Sequence, residues 1–564
     1  MVGNFVFAVA SVLELRLHWH SSRLTDGDSG VSIEDDRQIT VVKLPKPVLT
    51  SRNPIAVRMP TEDSSELHDF QSSPVPLPWT DENPLTVDEV GHGDGESAAR
   101  PGLSRAWTKS AWVVILIAAG TVFALNFLTS RSTGGKGGEE LAADMQARIA
   151  LGVSQFPGTA AEMHRSLRDG LEPGNYSGIL RTTVVTAEIV GLERAVEELN
   201  ELAGDWLSTE TPPTPDEVRL ATVLRELYEL RRGDDFAEKG LPADSTEFLE
   251  STLGWTGRLA VNPVNGPQPE AREALMAEAN RTAVVFFCAA VAGVLSVVVG
   301  LALLVIWGVL AFLGTVQFHL RVGSGTGGFY AETFALWFVT FFFLNILVAP
   351  FCPAAYRMLC VGLMSALSLL TLLWPVGRGV PWSQVREEVG LTWPKHPVRE
   401  IATGVVSYIA GAPLLAIGMV CTVFLMQLQK AMQSPALLAF ADTPMHPIIQ
   451  PLARGTTLDR IQAVAVVLLV PITEEIMFRG VLYRHLREAS LRWGAVISVL
   501  FSILFNAFLF AAIHPQGILG IPLLMSIAIV LAVSREWRGS LVAPTVTHMI
   551  VNGMTTTIVL LAFG

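Results

Sequence analysis

Nine stretches of roughly 20 apolar residues decide most of what this chain can fold into. They run at about 111–129, 284–313, 331–352, 357–376, 402–426, 461–478, 494–513, 516–534 and 541–562. A run of about 20 apolar residues matches the hydrocarbon thickness of a bilayer. In that solvent a spanning segment must satisfy its own backbone hydrogen bonds, so each run is expected as a helix. The predicted fold class is therefore an all-α, multi-spanning membrane protein. It should have about nine transmembrane helices, a small helical soluble insertion and a disordered N-terminal tail. The run 436–449 is too short to span and is expected to lie re-entrant or interfacial.

Charge divides the chain in the same way. Residues 1–110 carry a net −6 and residues 131–282 a net −11, whereas 283–564 carry +5 and 111–130 carry no charge at all. Only 16% of the 564 residues are charged, against about 25% in ordinary soluble domains. An acidic chain without a basic face is not expected to bind nucleic acid. The segments read as a Pro-rich acidic tail (1–110), a first transmembrane helix (111–130), a soluble helical insertion (131–282), accessory transmembrane helices (283–399) and a C-terminal membrane domain (400–564). Phe5 to Leu13 is a short apolar run with no Lys or Arg before it, so it is not expected to be a secretory signal. The four cysteines, Cys288, Cys352, Cys360 and Cys421, lie in apolar runs without any CxxC spacing. They are expected as buried small apolar residues rather than as a disulfide framework or a Cys-based zinc site.

Lys and Arg accumulate on the cytoplasmic side of membrane proteins. With the N-terminus inside, one set of loops holds Arg321, Arg378, Arg386, Lys395, Arg399, Arg479, Arg484, Arg487, Arg492, Arg535 and Arg538, and the opposite set holds Arg357, Lys430, Arg454 and Arg460. This 11:4 bias predicts nine crossings of the plasma membrane, with the C-terminus and residues 131–282 outside. Within 131–282 the apolar periodicity predicts helices at 139–151, 184–206 and 214–232, with breaks at Pro212, Pro213 and Pro215. The charge runs there read as solvated helix faces, with docking of a protein partner as the alternative. No catalytic constellation is evident in that region.

Ionisable groups inside membrane segments are expensive to bury and mark functional sites by default. Three places in the last 110 residues qualify: PITEEIMFRG with Glu474, Glu475 and Arg479; FLFAAIHP with Phe510 and His514; and APTVTHMIVNG with His548 and Asn552. On a helix, adjacent residues point about 100° apart, so Glu474 and Glu475 face different targets. Glu475 lies four residues before Arg479, the favourable order for an ion pair. Glu474 then has no sequence-local partner. A carboxylate buried without a partner has its pKa raised toward neutrality, which makes a competent general base. His548 and Asn552, four apart, share one helical face and both can donate to a developing oxyanion. Phe510, one turn before His514, reads as packing support. Pro471, Pro515 and Pro544 each lie close to one of these residues. Prolines loosen the helical ladder, which suggests a hydrated cavity. Glu474 and His514 come to the same depth only if the Glu474 helix continues through VLYRHLREAS before the chain doubles back.

The ordered set EExxxR, FxxxH and HxxxN resembles the CPBP family of CAAX-protease and bacteriocin-processing intramembrane endopeptidases, including the type II CAAX prenyl endopeptidases. The resemblance covers about residues 400–564, and VREEVGLTWPKHPVREI, with Arg386 and Gly390, looks like the entry to that domain. It implies an all-helical bundle around a conical polar cavity. Glu474, helped by His514, would activate water; His548 and Asn552 would bind the oxyanion; Glu475 and Arg479 would form a structural pair. The implied substrate is a peptide or membrane protein cleaved within the bilayer. The resemblance implies no metal, with zinc held by the two His and a Glu as the alternative. A non-catalytic membrane scaffold or receptor that uses 131–282 to bind partners is the competing function. A proton-coupled transporter ranks last, because no internal repeat is evident.

Overall fold

In the computed structural model, residues 101–132, 136–169, 175–206, 212–232, 241–320, 322–323, 325–432 and 448–564 are described. The expectations for the tail up to residue 100, including Phe5–Leu13, and for most of the re-entrant run 436–449 lie outside the described residues. Among the described residues the regular structure is entirely helical. Nine helical segments among the described residues are long and apolar enough to cross a membrane. The protein is thus a multi-pass integral membrane protein.

The first helix, α1 (Pro101–Ser132), begins ten residues before the expected start of the first transmembrane helix at 111, and its spanning part is Trp107–Asn126. The insertion follows as α2 (Lys136–Ser154), α3 (Ala160–Asp169), α4 (Tyr176–Ile189), α5 (Leu192–Asp205), α6 (Pro215–Arg232), α7 (Ala243–Leu253) and α8 (Trp255–Val261). The single helix expected over 184–206 is two helices. Gly191, at φ 130°, turns the chain between α4 and α5 in a conformation that favours glycine. Helix α6 starts as the sequence predicts, with Pro at its first position. The Thr214 hydroxyl accepts from Glu217 N, and the Glu217 carboxylate accepts from Thr214 N at 2.8 Å. Leu180, Val184, Leu199, Leu224, Leu227, Leu249 and Leu259 fill the core of this insertion.

The membrane helices are α9 (Pro269–Phe312), α10 (Gly327–Phe342, continuing to Phe351), α11 (Arg357–Ser368, continuing to Gly377), α13 (Pro397–Met432), α15 (Thr457–Glu474, continuing to Trp493), α16 (Ala495–Ala512), α17 (Gly517–Arg538) and α18 (Val542–Phe563). Short helices α12 (Trp382–Val389) and α14 (Ile449–Arg454) precede α13 and α15. Small residues on α13 let its neighbours approach closely. A Cβ at Gly404 would lie 2.7 Å from Val546 of α18, and one at Gly411 or Gly418 would lie 2.7 Å from Val530 or 2.3 Å from Ser526 of α17. The insertion docks on the end of the bundle where α14 and the end of α18 lie. Arg454 donates to Asp144 at 2.7 Å, and Thr282 donates to Ala562 O at 3.1 Å.

Two expectations need correction. The segment expected at 461–478 is a continuous helical rod over Thr457–Trp493, so the chain reverses at Gly494 (φ 92°) rather than before it. As a result Arg479, Arg484 and Arg487, and likewise Arg535 on α17, are buried in the bundle instead of standing in loops. That leaves seven of the eleven charges that supported the inside orientation. The cysteines are not buried either. Cys288 and Cys421 are exposed on spanning helices and Cys352 and Cys360 are half-buried, because the apolar surroundings of an outward face in a bilayer are supplied by lipid.

Candidate active site

The long rod carries the first acidic pair at its middle. Glu474 closes the α-helical part, and Glu475 opens a π-helical stretch, Glu475–Leu482. Pi-bulges widen the helix, leave carbonyls without their usual partners and recur at functional sites. Here side chains from other helices take those carbonyls. Asn506 of α16 donates to Phe478 O at 2.8 Å, and Arg535 of α17 donates to Arg479 O at 3.2 Å. Gly480 lies against Val389 of α12, where a Cβ would come within 2.5 Å of a valine methyl.

The reversal at Gly494 places Glu474 and His514 twenty residues on either side of the bend. Their side chains meet: His514 Nε2 is 3.9 Å from one Glu474 oxygen, and His548 Nε2 is 3.6 Å from the other. Both separations exceed a direct hydrogen bond and leave room for a bridging water. The far nitrogen of each imidazole is held. His514 Nδ1 lies 2.5 Å from Phe510 O, and His548 Nδ1 lies 2.8 Å from Glu475 Oε1. A carbonyl and an ion-paired carboxylate only accept, so in the neutral rings Nδ1 carries the proton. Each Nε2 then presents a lone pair toward Glu474.

The Glu475 oxygen that receives His548 also faces Arg479 at 3.1 Å, and both members of that pair are fully buried. The spacing argument anticipated the Glu475–Arg479 contact. It missed the bond to His548, because the partners are 73 residues apart and on different helices. Phe510 lies at the centre of the group. Its ring centroid is 4.2 Å from the His514 ring, 5.9 Å from the His548 ring and 4.5 Å from the Arg479 guanidinium. Asn552 is half-buried, one turn beyond His548 on α18.

Asn126 on the first span also reaches this site. Its amide donates to Ile513 O at 3.2 Å and His514 O at 3.3 Å, in the turn that carries His514. Nothing in the sequence pairs Asn126 with residues nearly 390 positions away. Asn506 was accessible to sequence reasoning, as a polar residue in an apolar run, but it lacked a motif partner to draw attention to it.

The three prolines are not equivalent. Pro471 lies inside α15, just ahead of the π stretch. Pro515 sits in the turn after α16, and Pro544 in the first turn of α18, where its missing N–H interrupts no ladder. Only Pro471 loosens a helix at the site. Among the described residues, no group of three or more His, Cys, Asp or Glu side chains is arranged to hold a metal ion.

Fold and site together define a class: a polytopic helical membrane protein with two imidazoles turned onto one carboxylate inside the bundle. Residues 456–554 match the family described as Type II CAAX prenyl endopeptidase Rce1-like, so the chain carries a domain of this CAAX-type intramembrane protease family. The match begins at the capping residue of α15 and ends within α18. It is narrower than the 400–564 of the sequence resemblance and includes Glu474, Glu475, Arg479, Phe510, His514, His548 and Asn552. No curated protein and no solved structure matches the chain significantly.

Proposed function

We propose that the protein is an intramembrane endopeptidase that hydrolyses a peptide bond with water activated by Glu474. The observation that carries this reading is the pair of Nε2 atoms facing the two Glu474 oxygens at 3.9 and 3.6 Å, each with its Nδ1 tied down. A water in that gap donates one hydrogen to the Glu474 carboxylate and the other to an imidazole lone pair. Its oxygen is left free to attack a scissile carbonyl, and Glu474 takes up the proton. The carbonyl oxygen becomes an oxyanion, which needs donors.

Asn552 supplies an amide donor. His548 supplies one only when Nε2 is protonated, because its neutral form carries the hydrogen on Nδ1. The Glu475 carboxylate at Nδ1 stabilises that imidazolium, much as a buried aspartate does for a catalytic histidine. Arg479 faces the same Glu475 oxygen at 3.1 Å, and Phe510 fixes the tilt of both rings. Collapse of the tetrahedral intermediate returns the proton to the leaving amine.

The reaction draws no step through a metal, and cleavage unchanged by EDTA and 1,10-phenanthroline is the expected outcome. In the same reading, 400–564 is the catalytic domain, the N-terminus is cytoplasmic, and the membrane is the plasma membrane. The test is quantitative membrane proteomics of cells carrying the wild type against Glu474→Gln, with both proteins at equal abundance. Substrates should accumulate uncut in the variant. An unchanged cleavage pattern, with the variant folded and inserted, would refute the assignment.

A further inference from the structure

A fully buried arginine joins the elements that carry the site. Arg535, in the last turn of α17, is shielded from solvent throughout. Its guanidinium donates to four backbone carbonyls: Arg479 O at 3.2 Å, Glu388 O at 3.1 Å, Val389 O at 2.9 Å, and Gly539 O. The side-chain carboxylates of Glu388 and Glu536 face other cations, Arg484 and Arg487. The Arg535 charge is met instead by carbonyls at the C-terminal ends of α12 and α17, where the helix dipole is negative. Gly390, the left-handed cap of α12 (φ 86°), leaves the guanidinium its space, since a Cβ there would run into it. The Gly390 carbonyl in turn accepts from Leu541 N at 3.2 Å, at the start of α18.

These bonds bridge the two helices whose side chains meet at the site. Arg479 lies one turn after Glu475 on the long rod, and His548 lies two turns after Leu541 on α18. Arg535 holds the first helix directly and the second through Gly390. The contact that depends on their register is Glu475 Oε1 to His548 Nδ1, at 2.8 Å. We propose that Arg535 is a positioning residue that sets this register, and with it the orientation of the His548 ring toward Glu474. It acts through backbone carbonyls alone. A planar fork of five donors serves several carbonyls at fixed spacing, whereas a lysine ammonium keeps the charge but gathers three donors at one point. The effect on cleavage rests on the hydrolytic reading; the register itself does not.

The experiment compares full-length wild type, Arg535→Lys and Gly390→Ala in detergent, each with isotope-labelled histidine. The His548 Nδ1 proton, shared with a carboxylate, should give a downfield NMR resonance that is assigned by its loss in His548→Gln. In Arg535→Lys this resonance should move upfield or vanish. Gly390→Ala displaces the guanidinium without altering it and should do the same. Cleavage of the substrate found in the Glu474→Gln comparison should fall about 10- to 100-fold in kcat with KM little changed, since a misplacement of about 1 Å can cost roughly 100-fold. Leu224→Ala, in the core of the insertion, is the stability control: it should lower Tm while leaving the resonance and kcat as in the wild type. An unchanged resonance, or a wild-type kcat, in the folded variants would overturn the proposal. So would a Leu224→Ala protein that reproduces the shift. If the resonance moves in both variants but the wild type cleaves nothing, the register is upheld and the hydrolytic reading fails.

Discussion

Glu475 does two things in this structure, and one pair of variants separates them. Its Oε1 faces Arg479 at 3.1 Å and His548 Nδ1 at 2.8 Å, with glutamate and guanidinium both fully shielded from solvent. At an effective dielectric near 20, charges about 3 Å apart attract by roughly 5 kcal/mol. Glu475→Gln keeps the shape and an acceptor for the imidazole but leaves a buried guanidinium without a counter-charge. Breaking one side of a buried pair costs about 3–5 kcal/mol. Replacing both partners by apolar or neutral groups of similar size is often close to neutral. Glu475→Gln combined with Arg479→Met should therefore recover most of the lost stability.

Cleavage should not recover with it. A hydrogen bond to a charged group contributes about 1.5–3 kcal/mol. Losing the carboxylate behind the His548 imidazolium should lower the rate by roughly 10- to 150-fold. The assays are thermal unfolding of the purified protein in detergent and single-turnover cleavage of a substrate identified by the proteomic comparison. If the double variant regains both stability and rate, Glu475 serves only as the partner of Arg479. If Glu475→Gln alone is as stable as the wild type, the argument from the buried pair fails.

Three further outcomes are expected. Asn506→Leu strands the Phe478 carbonyl of the π stretch, which Asn506 holds at 2.8 Å; an unpaired buried carbonyl costs about 1–3 kcal/mol, read as a lowered Tm with reduced cleavage. Asn126→Ala removes two bonds to the His514 turn, and at about 0.5–1.5 kcal/mol per bond cleavage should slow while global stability measured by denaturation changes less than for Asn506→Leu. Arg454→Met tests the docking of the insertion. Burial pushes the Asp144 carboxyl up, while Arg181 and Arg454 pull it down, so losing Arg454 raises it further. The destabilisation should be absent at and below the ordinary aspartate value of 3.8 and should appear only as pH rises through the raised value that Asp144 has in the folded protein. With Arg454 41% exposed, it should stay below about 1 kcal/mol. A Tm difference that is constant from pH 3 to pH 7 would contradict this sign.

The sequence by itself determined the things that depend on local composition and spacing. Nine apolar runs dictate nine helices because a bilayer offers the backbone no other partner. The four-residue steps from Glu475 to Arg479 and from His548 to Asn552 put each pair on one helix face, since 3.6 residues make a turn. Only the tertiary structure decided how those faces meet. The unbroken rod from Thr457 to Trp493 exists because Tyr483, Arg484, His485 and Arg487 find buried partners such as Glu536, Glu388 and Gly327 O on other helices. Read locally, that charged stretch looks like a loop. The bond from Glu475 to His548 and the reach of Asn126 to His514 join residues 73 and 388 positions apart. Contacts of that kind are fixed by how helices pack, and no periodicity along the chain records them.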